Sequence, residues 1–164
     1  MQNLLFTPYS PSEHRTLVHW LCTETWSHYP HGRLTQETAR QYVDAGMFHS
    51  NSSRTYWIEV DGWQVAGLIR FYRLDTATPT FDLHLTRQFR GRGIGRAVVQ
   101  WATNRLFDEL TEIESITVVT RNDNRPMRRL LRGCAYSESA YHPQMWFDDA
   151  GVCYDIVCYT MSRE

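Results

Sequence analysis

The stretch Phe89–Gln100, FRGRGIGRAVVQ, decides the fold. Gly91, Gly93 and Gly95 alternate with other residues, three of them arginines, and an apolar helical pattern follows at once. Ile94, Ala97, Val98, Trp101 and Leu106 fall on one face of a helix that runs to about Leu110. Glycine has no Cβ to hold a ligand away from the main chain. The first N–H groups of a helix have no carbonyl partner, and the helix dipole makes that end positive. Such a loop holds a phosphate on its backbone.

Three phosphate loops compete. A P-loop needs Gly-Lys-Ser/Thr, but Arg96 and Ala97 follow Gly95, so it fails. The dinucleotide fingerprint G-x-G-x-x-G fits Gly91 and Gly93 but meets Arg96 at its third place. No ribose-binding acid ends a strand about 20 residues on, because that region is still helical. The third pattern, Arg/Gln-x-x-Gly-x-Gly/Ala, is satisfied by Arg90, Gly93 and Gly95.

Working outward, TFDLHL before the loop reads as a strand, and SITVVT after the helix as another. DNRPMRRLLRG reads as a short helix begun at Asp123 or Asn124, with Pro126 in its first turn. RTYWIEV and QVAGLIRFYRL flank Asp61-Gly62, a hairpin signal. NLLFTPY reads as a first strand. Ser10, Pro11 and Glu13 form a capping box for a helix over SPSEHRTLVHWLCTETW. Thr35 caps a second helix that Gly46 ends. YHPQMWF and VCYDIVCYTM form a closing hairpin around DDAG. The order β-α-α-β-β-β-α-β-α-β-β predicts an α/β fold, with a mixed, mostly antiparallel central sheet flanked by helices. Residues 1–164 are read as a single domain.

From FDLHL through RGRGIGRAVV, the sequence resembles the GNAT superfamily of acyl-CoA-dependent N-acetyltransferases, without a gap. SITVVT and NRPMRRLLRGCAY extend the likeness to about Tyr136, and the closing hairpin resembles the branch of ribosomal-protein N-terminal acetyltransferases. The resemblance implies acetyl-CoA as acyl-donor co-substrate. It implies that Leu83, His84 and Leu85 hold the pantetheine arm through their main chain. The pyrophosphate would lie on the N–H groups from Gly91 to Arg96, with Arg90, Arg92 and Arg96 adding charge and Ile94 within the loop. Asn124 matches the asparagine that contacts the cofactor arm, and it also suits a helix N-cap. The Leu83 N–H would face the thioester carbonyl and stabilise its developing charge.

The acceptor amine must lose a proton before or as it attacks. Family members often place a glutamate four residues before Leu85, where this chain has Phe81. Asp82, re-aimed by a strand bulge, is then the candidate base or amine-binding carboxylate. His84 is the second candidate. The family's usual acid, a tyrosine seven residues after the asparagine, is replaced by Leu131. Leu131 is expected to face the cofactor channel and to tolerate tyrosine, with Tyr136 or Tyr141 donating the proton instead or, as the alternative, the CoA thiolate leaving unassisted into solvent. Trp26, His28, Tyr29 and His31 are candidates for an aromatic wall on the acceptor side. Glu24, Asp148, Asp149 and Asp155 are carboxylates that would favour a basic acceptor.

The composition fits this reading. A net charge of −1 gives no support for general nucleic-acid binding. No apolar run spans a membrane, and MQNLLFTPYS lacks the features of a signal peptide. The cysteines Cys22, Cys134, Cys153 and Cys158 lack metal-type pairing, so no metal is expected and they read as reduced thiols in a cytoplasm. All 17 basic residues are arginine, which would leave an amine-acetylating enzyme no lysine of its own to modify. The expected partner is a small-molecule or peptide amine, without nucleic acid or membrane, and a homodimer is compatible. A non-catalytic acyl-CoA-binding or sensing domain is the alternative, because the Phe81 and Leu131 positions lack the usual groups.

Overall fold

The computed structural model describes residues 2–30 and 32–164. Strand β1 (Leu4–Pro8) leads into a 3-10 turn (Pro11–Glu13) and helix α1 (His14–Leu21), followed by α2 (Gln36–Asp44). Then come β2 (Arg54–Val60), β3 (Gln64–Tyr72), β4 (Thr80–Leu85), a second 3-10 turn (Arg87–Phe89) and α3 (Ile94–Glu109). The chain closes with β5 (Ser115–Arg121), α4 (Arg125–Gly133), β6 (Ser137–Phe147) and β7 (Cys153–Ser162). This is the order read from the sequence.

Local chemistry fixes the ends. The Ser10 N–H donates to the Glu13 carboxylate at 2.8 Å, and the Ser12 N–H donates to Ser10 Oγ at 3.4 Å. Thr35 Oγ1 accepts from the Thr38 N–H at 3.2 Å and starts α2. Asp61 and Gly62 both take positive φ, 54° and 79°, as a tight hairpin turn requires. Helix α1 stops at Leu21, five residues short of the expected end. There the Trp26 indole donates to the Leu21 carbonyl at 2.9 Å and satisfies one of the terminal acceptors.

The expected central sheet is divided. One antiparallel sheet has the order β1-β2-β3-β4, and the other β5-β7-β6. They meet where the Thr117 N–H donates to the Pro79 carbonyl at 3.3 Å, just before β4. Beyond that point β4 and β5 form no ladder.

Strand alternation sorts the first sheet's side chains onto two faces. Ile69, Phe71 and Phe81 join Val98, Val99, Ala102 and Leu106 of α3 in one core. Leu68 joins Leu17, Leu21 and Ala39 of α1 and α2 in the other. The expected bulge in β4 is absent. In this sheet the register shift falls instead between β2 and β3, where Ile58 and Glu59 pair with Gly67 and Val65 and Ala66 is the extra residue. Among the described residues no helix is long and apolar enough to cross a membrane.

Candidate active site

A cavity of about 960 Å³ opens between β4 and β5. Its floor is Asp82–Leu85 and Val118–Arg121, one rim is the glycine loop with α4, and the other is the α1–α2 connection.

The glycine loop presents bare backbone to this space. Gly91 and Gly93 hold φ of 72° and 81°, and a Cβ built on either would meet nothing within 4 Å. Gly93 is the N-cap of α3 and supplies no side chain to cap it. Among the described residues, no acceptor takes the N–H groups of Gly91, Arg92, Gly93, Ile94 or Gly95. An unpaired donor run at the positive end of a 16-residue helix is a fitting seat for a pyrophosphate.

Three details differ from the sequence reading. The Arg96 N–H already donates to the Gly93 carbonyl at 3.2 Å, so the free run ends at Gly95. The Ile94 side chain is buried in the core, leaving only its main chain for a ligand. Arg92 lies over the Phe89 ring at 5.8 Å and does not line the cavity, whereas Arg90 and Arg96 do.

Arg90 is anchored. Its Nε donates to the Leu85 carbonyl at 2.8 Å, and its Nη2 reaches Glu24 at 3.4 Å. Glu24 also accepts the Arg87 N–H at 2.8 and 3.0 Å, which ties the α1–α2 connection to the loop.

Strand β4 turns polar backbone toward the gap. The Leu83 carbonyl accepts from the Tyr29 hydroxyl at 3.2 Å, and the Leu85 carbonyl from Arg90, so both point away from β3. In an antiparallel ladder a residue's N–H and C=O share one side. The Leu83 and Leu85 N–H groups therefore face the gap too.

The even-numbered side chains of β4 face the α1–α2 side. Asp82 lies opposite Arg70 of β3, and Arg70 Nη2 donates to Asp82 Oδ2 at 2.5 Å. Asp82 and Phe81 both line the cavity, and alternation puts Asp82 on the α1–α2 side while Phe81 packs with the α3 core. The Arg70 guanidinium lies 4.2 Å above the Tyr72 ring. Burial and the Asp82 charge push the Tyr72 phenol up to about 12.

His84 is stacked on Tyr29 with ring centroids 4.2 Å apart, and Trp26 meets it edge-on at 5.0 Å. Burial, helped by Arg70 and Arg90, lowers its pKa to about 3. A ring so disfavoured as a cation is a weak proton acceptor near neutrality. It lines the cavity as a neutral ring.

Asn124 lines the cavity and caps α4 at once. Its Oδ1 accepts from the Met127 N–H at 3.3 Å, and its Nδ2 donates to Thr120 at 3.2 Å. Leu131, however, is completely buried in the α3 core. Pro126, Met127, Arg129, Leu130 and Gly133 are the α4 residues that line the cavity.

Neither tyrosine proposed as acid reaches the site. Tyr136 is buried, with its hydroxyl 2.7 Å from Thr103 Oγ1, and burial raises its pKa. Tyr141 lies on the outer strand β6, where it bonds Asp155. Neither belongs to the cavity wall.

Trp26, His28 and Tyr29 do line the cavity, and burial lowers the His28 pKa. His31 lies outside the described residues. The other carboxylates are placed elsewhere. Glu24 holds the loop, Asp148 accepts the Val152 N–H at 2.8 Å, and Asp155 holds Tyr141 and the Gln144 N–H. Among the described residues, Asp82 is the one carboxylate lining the cavity.

Sequence reasoning missed Arg70 and Arg121. Arg70 interrupts the apolar run VAGLIRFY, and a charge inside a buried strand was the available signal. Arg121 ends β5. It pairs with Asp123 at 2.5 Å and lies 3.4 Å above the Tyr154 ring, joining the closing hairpin to the cavity wall. Only the hairpin's return across β5 brings these together.

Comparison with known proteins agrees with this geometry. The sequence model of the acetyltransferase (GNAT) domain matches residues 3–136. No curated protein sequence matches the chain. Among solved structures, spermidine N-acetyltransferase from Vibrio cholerae in complex with CoA and spermine aligns with a TM-score of 0.80 at 14% identity, covering 97% of this chain and 95% of that one. RimL, the ribosomal L7/L12 α-N-protein acetyltransferase in complex with CoA, gives a TM-score of 0.80 at 17% identity, covering 97% and 93%. The chain belongs to the family of GNAT acetyltransferases, the acyl-CoA-dependent N-acetyltransferases that its glycine loop implied.

Proposed function

We propose that this protein, as one catalytic domain, transfers acetyl from acetyl-CoA to a primary amine by direct attack. The observation that carries this is the run of free amides from Gly91 to Gly95, opening on the same cavity as Asp82. Acetyl-CoA supplies an activated acetyl thioester. The glycine-loop amides, Arg96 and the Leu85 N–H would hold its phosphates and arm, with Asn124 beside them. The Leu83 N–H would meet the charge that develops on the acyl oxygen.

Asp82 would draw the amine in and hold it, with its charge partly balanced by Arg70. The N–C bond forms as the C–S bond breaks, and the amine's proton and the thiol's proton balance through solvent. His84 stays neutral and packs the Tyr29 ring against β4. No acid on α4 is required, because a thiolate is a tolerable leaving group. A cytoplasmic location goes with this reading. Met145 and Phe147, exposed near the open edge of β6, support self-association, which light scattering would test.

The deciding experiment incubates the protein with acetyl-CoA and a panel of primary amines, with product mass and thiol release as readouts. Acetylated product in step with thiol release is expected. Binding of acetyl-CoA without turnover on any amine would favour a sensing domain.

A further inference from the structure

The acceptor end of the cavity carries little negative charge. Asp82 is the one carboxylate in the wall among the described residues, and Arg70 already pairs with it. The other charged side chains of the cavity wall are arginines, Arg90 and Arg96 at the glycine loop, Arg121 at the end of β5 and Arg129 on α4. A polyamine would bring several positive charges into a site with one half-neutralised carboxylate. The electrostatics therefore oppose a polycation.

Arg70 is under-used by the protein. Of its five N–H donors, one on Nη2 makes a short bond to Asp82 and one on Nη1 reaches the Met47 carbonyl at 3.4 Å; Nε is buried out of reach, and each Nη keeps a further N–H. The guanidinium is mostly buried, at 13% side-chain exposure, and lies 4.2 Å from the Tyr72 ring and 5.9 Å from the Phe48 ring. A mostly buried cation with spare donors favours a carboxylate over water. Beside it the wall is apolar, formed by Leu21, Leu34, Met47 and Phe48.

We propose that the acceptor is an apolar or aromatic amino acid, taken as its zwitterion. Its amine lies at Asp82, its carboxylate on Arg70, and its side chain among Met47, Phe48 and their neighbours. The paired strands β3 and β4 thus present a plus–minus couple that matches an amine and a carboxylate on one carbon. This inference rests on the acetyltransferase reading for its chemistry, but its recognition step stands apart and can be measured without turnover.

The test compares L-phenylalanine, L-leucine, phenylalaninamide, phenethylamine and spermidine. Binding to the CoA-loaded protein is followed by calorimetry, and acetylation by product mass. The amide has the less basic amine and is intrinsically the easier acceptor at pH 7. A preference for the acid therefore reports recognition of the carboxylate.

We expect the amino acids to bind, and to give kcat/KM at least tenfold above phenylalaninamide and phenethylamine, with spermidine poorest. Arg70→Gln should abolish the acid-over-amide preference while acetyl-CoA still raises the melting temperature. If Arg70→Gln fails to fold, the wild-type acid-to-amide ratio decides alone. Equal use of acid and amide, a preference for spermidine, or no binding of any amino acid overturns the proposal. Carboxylate-dependent binding without acetylated product would leave recognition standing and overturn the transfer reading instead.

Discussion

The imidazole of His84 lies against the phenol of Tyr29, with ring centroids 4.2 Å apart and planes 23° from parallel. The Tyr29 hydroxyl reaches His84 Nδ1 at 3.4 Å and the Leu83 carbonyl at 3.2 Å. One aromatic pair thus links the α1–α2 connection to the strand expected to carry the thioester. Its chemistry is that of a buried neutral ring, which makes it a pH-sensitive element of stability.

The folded-state pKa of His84 is about 3, below the unfolded value near 6.5. As pH falls through this window the unfolded chain takes up a proton that the native ring refuses. Stability is therefore present above about pH 6.5 and is lost on acidification towards pH 3. The His84 contribution has a limiting slope of about 1.4 kcal/mol per pH unit. Denaturant titrations from pH 7 to 4 should show His84→Asn with a shallower loss than wild type. Parallel curves would mean that the native ring titrates normally.

Gly93→Asp should separate binding from folding. A Cβ at Gly93 meets no neighbour, so the cost to the apo-protein is the left-handed φ of 81°, about 1–2 kcal/mol. A carboxylate in the run of free amides would repel a pyrophosphate. Wild type should gain about 2.7 kcal/mol at a hundredfold excess of acetyl-CoA over Kd, and the variant nothing. Thermal melts with and without acetyl-CoA give both quantities.

Leu131→Tyr should now destabilise the protein. The side chain is fully buried against α3, and a larger ring there costs typically 1–3 kcal/mol or more. This reverses the tolerance expected from the family's tyrosine at that position. Tyr136→Phe should cost about 1 kcal/mol, from the lost bond to Thr103, with turnover per folded molecule unchanged. Tyr141→Phe should leave turnover alone. A large loss of turnover in either Phe variant would restore that tyrosine as an acid.

Asp82→Asn should lower turnover roughly 100-fold with acetyl-CoA affinity constant, if the carboxylate receives the amine. A purely structural partner of Arg70 would behave otherwise, lowering the melting temperature while leaving kcat intact. Steady-state kinetics beside a melt distinguishes the two.

The order of elements, the capping residues and the glycine loop were legible in the sequence, because each depends on neighbours a few residues away. Ser10 and Glu13, Thr35 and Thr38, and Asp61 and Gly62 act within one turn. The resemblance carried by Arg90–Gly95 likewise rests on a contiguous segment, and it led to the right family. The catalytic surroundings were not legible, since they depend on which faces meet. Counting seven residues from Asn124 reached Leu131, but the helix turns that residue into the α3 core and offers Leu130 to the cavity. Asp82 lines the cavity without a bulge, from the face of β4 opposite to the one Phe81 packs into the α3 core. Arg70 could not be paired with Asp82 until β3 and β4 were in register, 12 residues apart in sequence yet bonded at 2.5 Å. Sequence alone determined the backbone anion seat, because a helix start with glycines is a local object. The tertiary structure decided the charge and shape of the acceptor end, because long-range register sets which side chains share a buried space.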